Sequence, residues 1–176
     1  MKKNKSLTTK GLIGHKVLAT AITLGVMSGC LMAAPVYAER IDDSQSFNSD
    51  TTIDGENGNA VYIYFGKNAV VNIQSGTLTL KNDGTHPAVA VEDASQLTFT
   101  GDKVSIENSN QEGIPEVIWV ADSCKLNFNN AETRINGGGW AGLATGEDAS
   151  ISSKKLFITT VYNDEWHSGL ELNTNI

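Results

Sequence analysis

Residues 88–106 read Ala88-Val-Ala-Val-Glu-Asp-Ala-Ser-Gln-Leu-Thr-Phe-Thr-Gly-Asp-Lys-Val-Ser-Ile106. Three short runs in this stretch alternate apolar with polar: Val89 to Val91, Leu97 to Phe99 and Val104 to Ile106. Asp93-Ala94 separates the first pair of runs and Gly101 the second. Period-two alternation among β-branched residues is the signature of half-buried strands, and no window repeats with the helical period of 3.6. Gly supplies positive φ and Asn or Asp tolerates it, so the separators are suited to tight corners.

The unit recurs along the chain. Val61, Val89, Val117, Leu143 and Leu170 form one column, separated by 28, 28, 26 and 27 residues. A second column holds Val71-Ile73, Leu97-Phe99, Leu126-Phe128 and Ile151, and a third Leu78-Leu80, Val104-Ile106, Thr133-Ile135 and Leu156-Ile158. Asn68-Ala69, Asp93-Ala94, Asp122-Ser123 and Asp148-Ala149 are expected at the first corner, and Gly76, Gly101 and Asn130 at the second. Gly84, Gly113, Gly139 and His167 or Ser168 close the units. Three strands per repeat without helices bury their inward faces in one of two ways. Either each unit stacks on the last as a parallel β-solenoid, or strands pair as hairpins in a propeller or sandwich. Column character conserved from unit to unit favours stacking. Hairpin signals occur at Asn57-Gly58 and Asn136-Gly137, but not between every pair of strands. The reading is all-β, a parallel β-helix of three short strands per rung, about five rungs of about 27 residues.

Upstream lies a leader. Residues 1–16 carry Lys2, Lys3, Lys5, Lys10 and Lys16, and no charged residue follows until Glu39. Pro35-Val36-Tyr37-Ala38 presents small residues for cleavage between Ala38 and Glu39, so residues 1–38 read as an export signal. Residues 39–58 then form a lead-in or cap and residues 59–176 the repeats. Met27-Ser28-Gly29-Cys30 resembles a lipobox, which offers a lipid anchor on Cys30 as an alternative; Met at its first position and the apolar Leu31-Met32 after the cysteine depart from that pattern. Without the leader, 8 Lys+Arg stand against 20 Asp+Glu, a net charge of −12, which argues against nucleic acid and anionic lipid as partners. Cys124 is then the one thiol, so no intrachain disulfide is expected. Its alternation with Lys125, Asn127 and Asn129 places it inward as a small hydrophobe.

A basic extended signal followed by Asn/Gly/Thr/Ser-rich acidic three-strand repeats resembles the passenger region of a bacterial autotransporter. The resemblance spans essentially the whole chain and rests on a style of repeat rather than an invariant motif. It implies a right-handed, pectin-lyase-like parallel β-helix displayed at the outer membrane or outside the cell, acting as an adhesin toward a host or neighbouring-cell surface protein or carbohydrate. It also implies a C-terminal membrane β-barrel, which this sequence does not contain, and the chain ends at Ile176 after one strand of a fifth unit. The expectation is therefore an N-terminal fragment of a longer protein. A secreted β-helical lyase or hydrolase lacking its catalytic rungs is the competing reading, and a lipoprotein held through Cys30 the third.

No enzyme, cofactor or metal signature emerges. His86 and His167 lie three rungs apart, too far to share a metal, and no Gly-x-Ser-x-Gly elbow accompanies them. Arg134 is expected to point outward toward Asp102 or Lys103. Asp93, Asp122 and Asp148 stack as weak calcium candidates, although each precedes Ala or Ser as in an ordinary Asx turn. Trp140, Trp166 and His167 fall on one edge, where aromatics stack sugar rings or fold back over the wall. Tyr62 and Tyr64 flank Ile63 and face outward, while Trp119 lies in the wholly apolar run Val117-Ile118-Trp119-Val120, whose facing alternation leaves open.

Overall fold

A computed structural model describes residues 40–56, 58–109, 116–137, 141–160 and 168–172. Twelve strands and no helix occur among these residues. Strands β3 (Val61–Ile63), β5 (Val89–Val91), β7 (Ile118–Val120), β9 (Ala141–Thr145) and β12 (Ser168–Leu172) stack in parallel as one wall. The second sheet is built on three long strands, β4 (Asn68–Asn82), β6 (Gln96–Asn108) and β8 (Lys125–Gly137). Short strands β1 (Gln45–Phe47) and β10 (Ser150–Ser153) flank the first halves of these, and β2 (Thr51–Asp54) and β11 (Leu156–Thr159) the second halves. Every ladder is parallel, as coiling requires. The chain is an all-β parallel β-solenoid of three walls, each five strands deep, or about four turns.

The long strands bend because the inward parity changes within them. In β6 the buried positions are Leu97 and Phe99 before the corner and Val104 and Ile106 after it. Gly101 turns the chain between them at φ +89°. The next rung has Asn130 in register with Gly101, and there a side chain does the work. The buried Asn130 carboxamide donates to the Glu132 carbonyl at 2.6 Å and accepts from the Thr133 hydroxyl at 3.1 Å. That second bond explains how a threonine can occupy a core position: its one polar group is satisfied.

Inside, residues stack on their own kind. Leu80, Ile106 and Ile135 follow one another in register, as do Leu78, Val104 and Thr133, matching the expected third column. Phe99 and Phe128 lie with ring centroids 5.5 Å apart and planes within 5°. Cys124 is a fully buried free cysteine among these apolar groups, and burial pushes its thiol pKa up.

Three expected alignments are corrected. Ile118, and not Val117, pairs with Val89 and Leu143. All four residues of that run are apolar, so alternation carries no phase to align. Ala69, and not Val71, pairs with Leu97, while Val71 pairs with Phe99. A shift of two residues keeps every side chain on its face, and a period-two pattern is blind to it. The corner of the first full rung is Phe65-Gly66, at φ +61° and +67°, whereas Asn68 and Ala69 already belong to β4. A solvent-exposed phenylalanine in left-handed conformation has no compositional signal.

The segment expected as a lead-in is itself wound. Ile41 bridges Val61, β1 pairs with Val71 to Ile73, and β2 pairs with Leu78 to Lys81. Residues 41–54 thus lay down the first layer, with Ile41 and Ile53 fully buried beneath the second.

Candidate functional site

Alternation in the first wall decides which side chains meet solvent. Val61 and Ile63, Val89 and Val91, and Ile118 and Val120 are all buried, so Tyr62, Ala90 and Trp119 between them face outward. The ladders place these three, followed by Ala144, in one column along the wall. Ala90 and Ala144 face outward yet are only 2% exposed. A methyl on an outer face reaches that value only where larger neighbours overhang it, and the column alternates aromatic with alanine. The result is a groove of about 550 Å³ on the outside of the solenoid.

One rim of the groove is the turn entering the wall, where Asn59, His86, Pro87 and Glu116 lie. That rim is held by side-chain amides. Asn59 donates to the Pro87 carbonyl at 2.6 Å, and Asn82 and Asn108 donate to the His86 carbonyl at 2.5 and 3.2 Å. Buried amides spent on backbone carbonyls give the turn a fixed shape. Across the groove, Glu92 follows β5 and accepts a hydrogen bond from the Tyr62 phenol at 2.7 Å.

Arg40 closes one end. Its guanidinium carbon lies 5.5 Å from the centroid of the Tyr62 ring, and Tyr64 stacks against the same ring at 4.7 Å. Lys67 in turn places its ammonium 5.4 Å from the Tyr64 ring. The wall therefore carries two cation–π contacts on neighbouring tyrosines.

The Tyr62–Glu92 bond leaves a measurable mark. Donation to the carboxylate holds the phenolic proton, with burial adding to it, and pushes the Tyr62 pKa up to about 12. Because the folded value lies above the unfolded value of 10.0, the bond stabilises the fold fully below pH 10 and that contribution is lost as pH rises through about 12. In an alkaline absorbance titration, Tyr62 is expected to ionise well after an ordinary tyrosine, and Glu92→Gln to return it toward 10. Indistinguishable titrations of the two proteins would show that the bond does not form in solution.

The carboxylates considered for calcium sit at the other end of this wall, where it turns into β6, β8 and β10. Asp93 accepts from the Phe65 N–H at 3.4 Å, and Asp122 from the Glu147 N–H at 2.8 Å. Each ties its corner to that of an adjacent rung. Extending the register past Val120 and Thr145 puts Glu147 beside Asp122 and Asp148 beside Ser123, so the three aspartates do not form one column. Among the described residues no group of three or more His, Cys, Asp or Glu side chains is arranged to hold a metal ion. Trp140, Trp166, His167, Cys30, Ala38 and Glu39 lie outside the described residues.

Arg134 faces outward as expected, but toward other partners. Its register neighbours are Ser105 and Phe157 instead of Asp102 and Lys103. The guanidinium bonds to Glu132 at 2.8 Å and lies 4.8 Å from the Phe157 centroid. Lys155 reaches the same carboxylate at 2.5 Å and, ahead of Arg134, holds the Glu132 pKa below its usual value. Both cations are exposed and only Glu132 is half-buried, so the cluster is a weak, salt-screened contact.

The sequence points to the tyrosines as outward, whereas nothing in it singles out Glu92 or Glu116. Their roles depend on register, which brings residues 28 to 30 apart in the chain side by side. No protein-family model, curated protein or solved structure matches the chain.

Proposed function

We propose that this chain is an exported, cell-surface β-helical passenger of the autotransporter kind, which works by adhesion through its outward side chains and performs no chemistry of its own. The observation that carries this reading is the groove over Ala90, between Tyr62 and Trp119. It is assembled from three successive rungs, so the fold itself presents an aromatic and polar surface on a stiff wall. Recognition at such a surface needs preformed shape and no moving part.

The test is to express the full chain with its own leader, joined at its C-terminus to the membrane β-barrel that the reading requires, in a bacterium with an outer membrane. Impermeant labelling of intact cells is expected to mark it, and its mature N-terminus is expected at Glu39. Cells displaying it should adhere to host-cell or bacterial monolayers, and Trp119→Ala should reduce adhesion several-fold at equal surface density. A chain retained inside the cell would defeat the display reading. An acylated N-terminus at Cys30 would establish the lipoprotein instead, and cleavage of a polysaccharide by the purified chain would establish the enzyme.

A further inference from the structure

We infer that the groove on the first wall receives a cationic side chain, guanidinium or ammonium, presented by a basic peptide segment of a partner protein. This deepens the adhesion reading and rests on it only for the claim that the wall is the contact surface.

Charge is the first argument. Glu92 and Glu116 both line the groove, and neither forms an ion pair among the described residues. Among the described residues of the lining the basic groups are Arg40 and His86, neither ion-paired to these carboxylates, and Arg40 lies over Tyr62. Glu92 spends one oxygen on the Tyr62 phenol, a neutral donor, so no cation among the described residues compensates its charge. With a net charge of −12 over residues 39–176, the field of the whole domain draws cations toward this surface.

The second argument is the aromatic geometry. The wall already binds cations of its own, Arg40 on Tyr62 and Lys67 on Tyr64. Trp119 is the remaining aromatic of the groove, half-buried and without a cation over it among the described residues. Indole is the strongest of the aromatic cation acceptors. An indole that shares its groove with two carboxylates, neither ion-paired among the described residues, matches a guanidinium or ammonium in both shape and charge. A saccharide fits less well: a sugar chain along the wall needs successive free ring faces, whereas Tyr62 is flanked by Tyr64 and Arg40 and the next position is Ala90. The groove volume of about 550 Å³ exceeds that of one guanidinium and admits the backbone that presents it.

The experiment titrates the full chain with a blocked tetra-arginine peptide in a calorimeter, with chitotetraose and a blocked tetra-glutamate peptide as comparisons. Tetra-arginine is expected to bind and the others not. Trp119→Ala and the double variant Glu92→Gln/Glu116→Gln should each weaken it about tenfold, and Trp119→Phe, which keeps a smaller ring, about threefold. Glu107→Gln, a carboxylate in an exposed pair with Lys81 on another wall, should leave it unchanged. If Trp119→Ala lowers the melting temperature, Trp119→Phe carries the test in its place. Equal effects of the double variant and Glu107→Gln would overturn the proposal in favour of diffuse acidity. Chitotetraose bound through Trp119 in preference to the peptide would overturn it in favour of a sugar. The purified chain need not be displayed to bind, so peptide binding without cell adhesion would sink the display reading alone, and adhesion without peptide binding this one alone.

Discussion

Replacing Gly101 by valine is expected to cost about 4 kcal/mol and to lower the melting temperature by about 15 °C. Two effects act together. Gly101 holds φ at +89°, outside the range an L side chain adopts without strain. A Cβ built there would also overlap the carbonyl oxygen of Ile73 on the preceding rung and lie 2.8 Å from its carbon. The obstruction is backbone within a parallel ladder, so it cannot rotate away as a side chain would. Relief requires opening the pairing between β4 and β6, on which the central core rests. Against a total stability of roughly 5–15 kcal/mol for a domain of this size, such a loss removes a large fraction. Thermal unfolding followed by the β-sheet circular dichroism signal checks it.

A second substitution separates strain from collision. Gly66 also has positive φ, +67°, but the nearest atom to an added Cβ is the Asp93 carbonyl oxygen, 4.0 Å away. The next rung tolerates Ala94 at φ +55° in the equivalent place, and the one after it Ser123 at +59°. Gly66→Ala is therefore expected to cost at most about 1 kcal/mol. Similar losses for Gly66→Ala and Gly101→Val would mean that conformation alone sets the cost and that the rungs are less closely packed at Gly101 than the ladder implies.

These corners also show why some of the architecture was readable from the sequence and some was not. Strand type, parallel stacking and the third column followed from alternation, because Leu78, Val104 and Thr133 repeat in a polar background with glycine or asparagine before each. Exact register did not. The step between layers is 28 residues from Val61 to Val89, 29 from Val89 to Ile118 and 25 from Ile118 to Leu143. Two extra residues in β4, between Ile73 and Thr77, change the step within a single strand. Irregular corners absorb these differences, and a pattern with period two cannot count residues in them. The groove suffers most, because it exists only where register sets Tyr62, Ala90 and Trp119 side by side. Trp119 was undecidable for a related reason: with Ile118 and Val120 on either side and Val117 before them, hydrophobicity marks no face, and only the ladder to Ala90 and Ala144 turns it outward.

Phe99→Ala is expected to destabilise the chain by about 4 kcal/mol and Phe128→Ala by about 3 kcal/mol. Both rings are fully buried, and truncation leaves a cavity that the rigid walls above and below cannot collapse to fill. The difference between them comes from position along the stack. Phe99 lies between Val71 on one rung and Phe128 on the next, whereas Phe128 has Phe99 on one side and the exposed Ser153 on the other. Loss of Phe99 thus breaks contacts to two buried neighbours and loss of Phe128 to one. The parallel rings at 5.5 Å should also couple, so that the double variant loses about 1 kcal/mol less than the sum of the single ones. Denaturant unfolding of the four proteins measures both quantities. Additive losses would show that the rings are stacked only because the ladder aligns them. A larger loss at Phe128 would show that this end of the stack is covered more deeply than β10 and β11 alone provide.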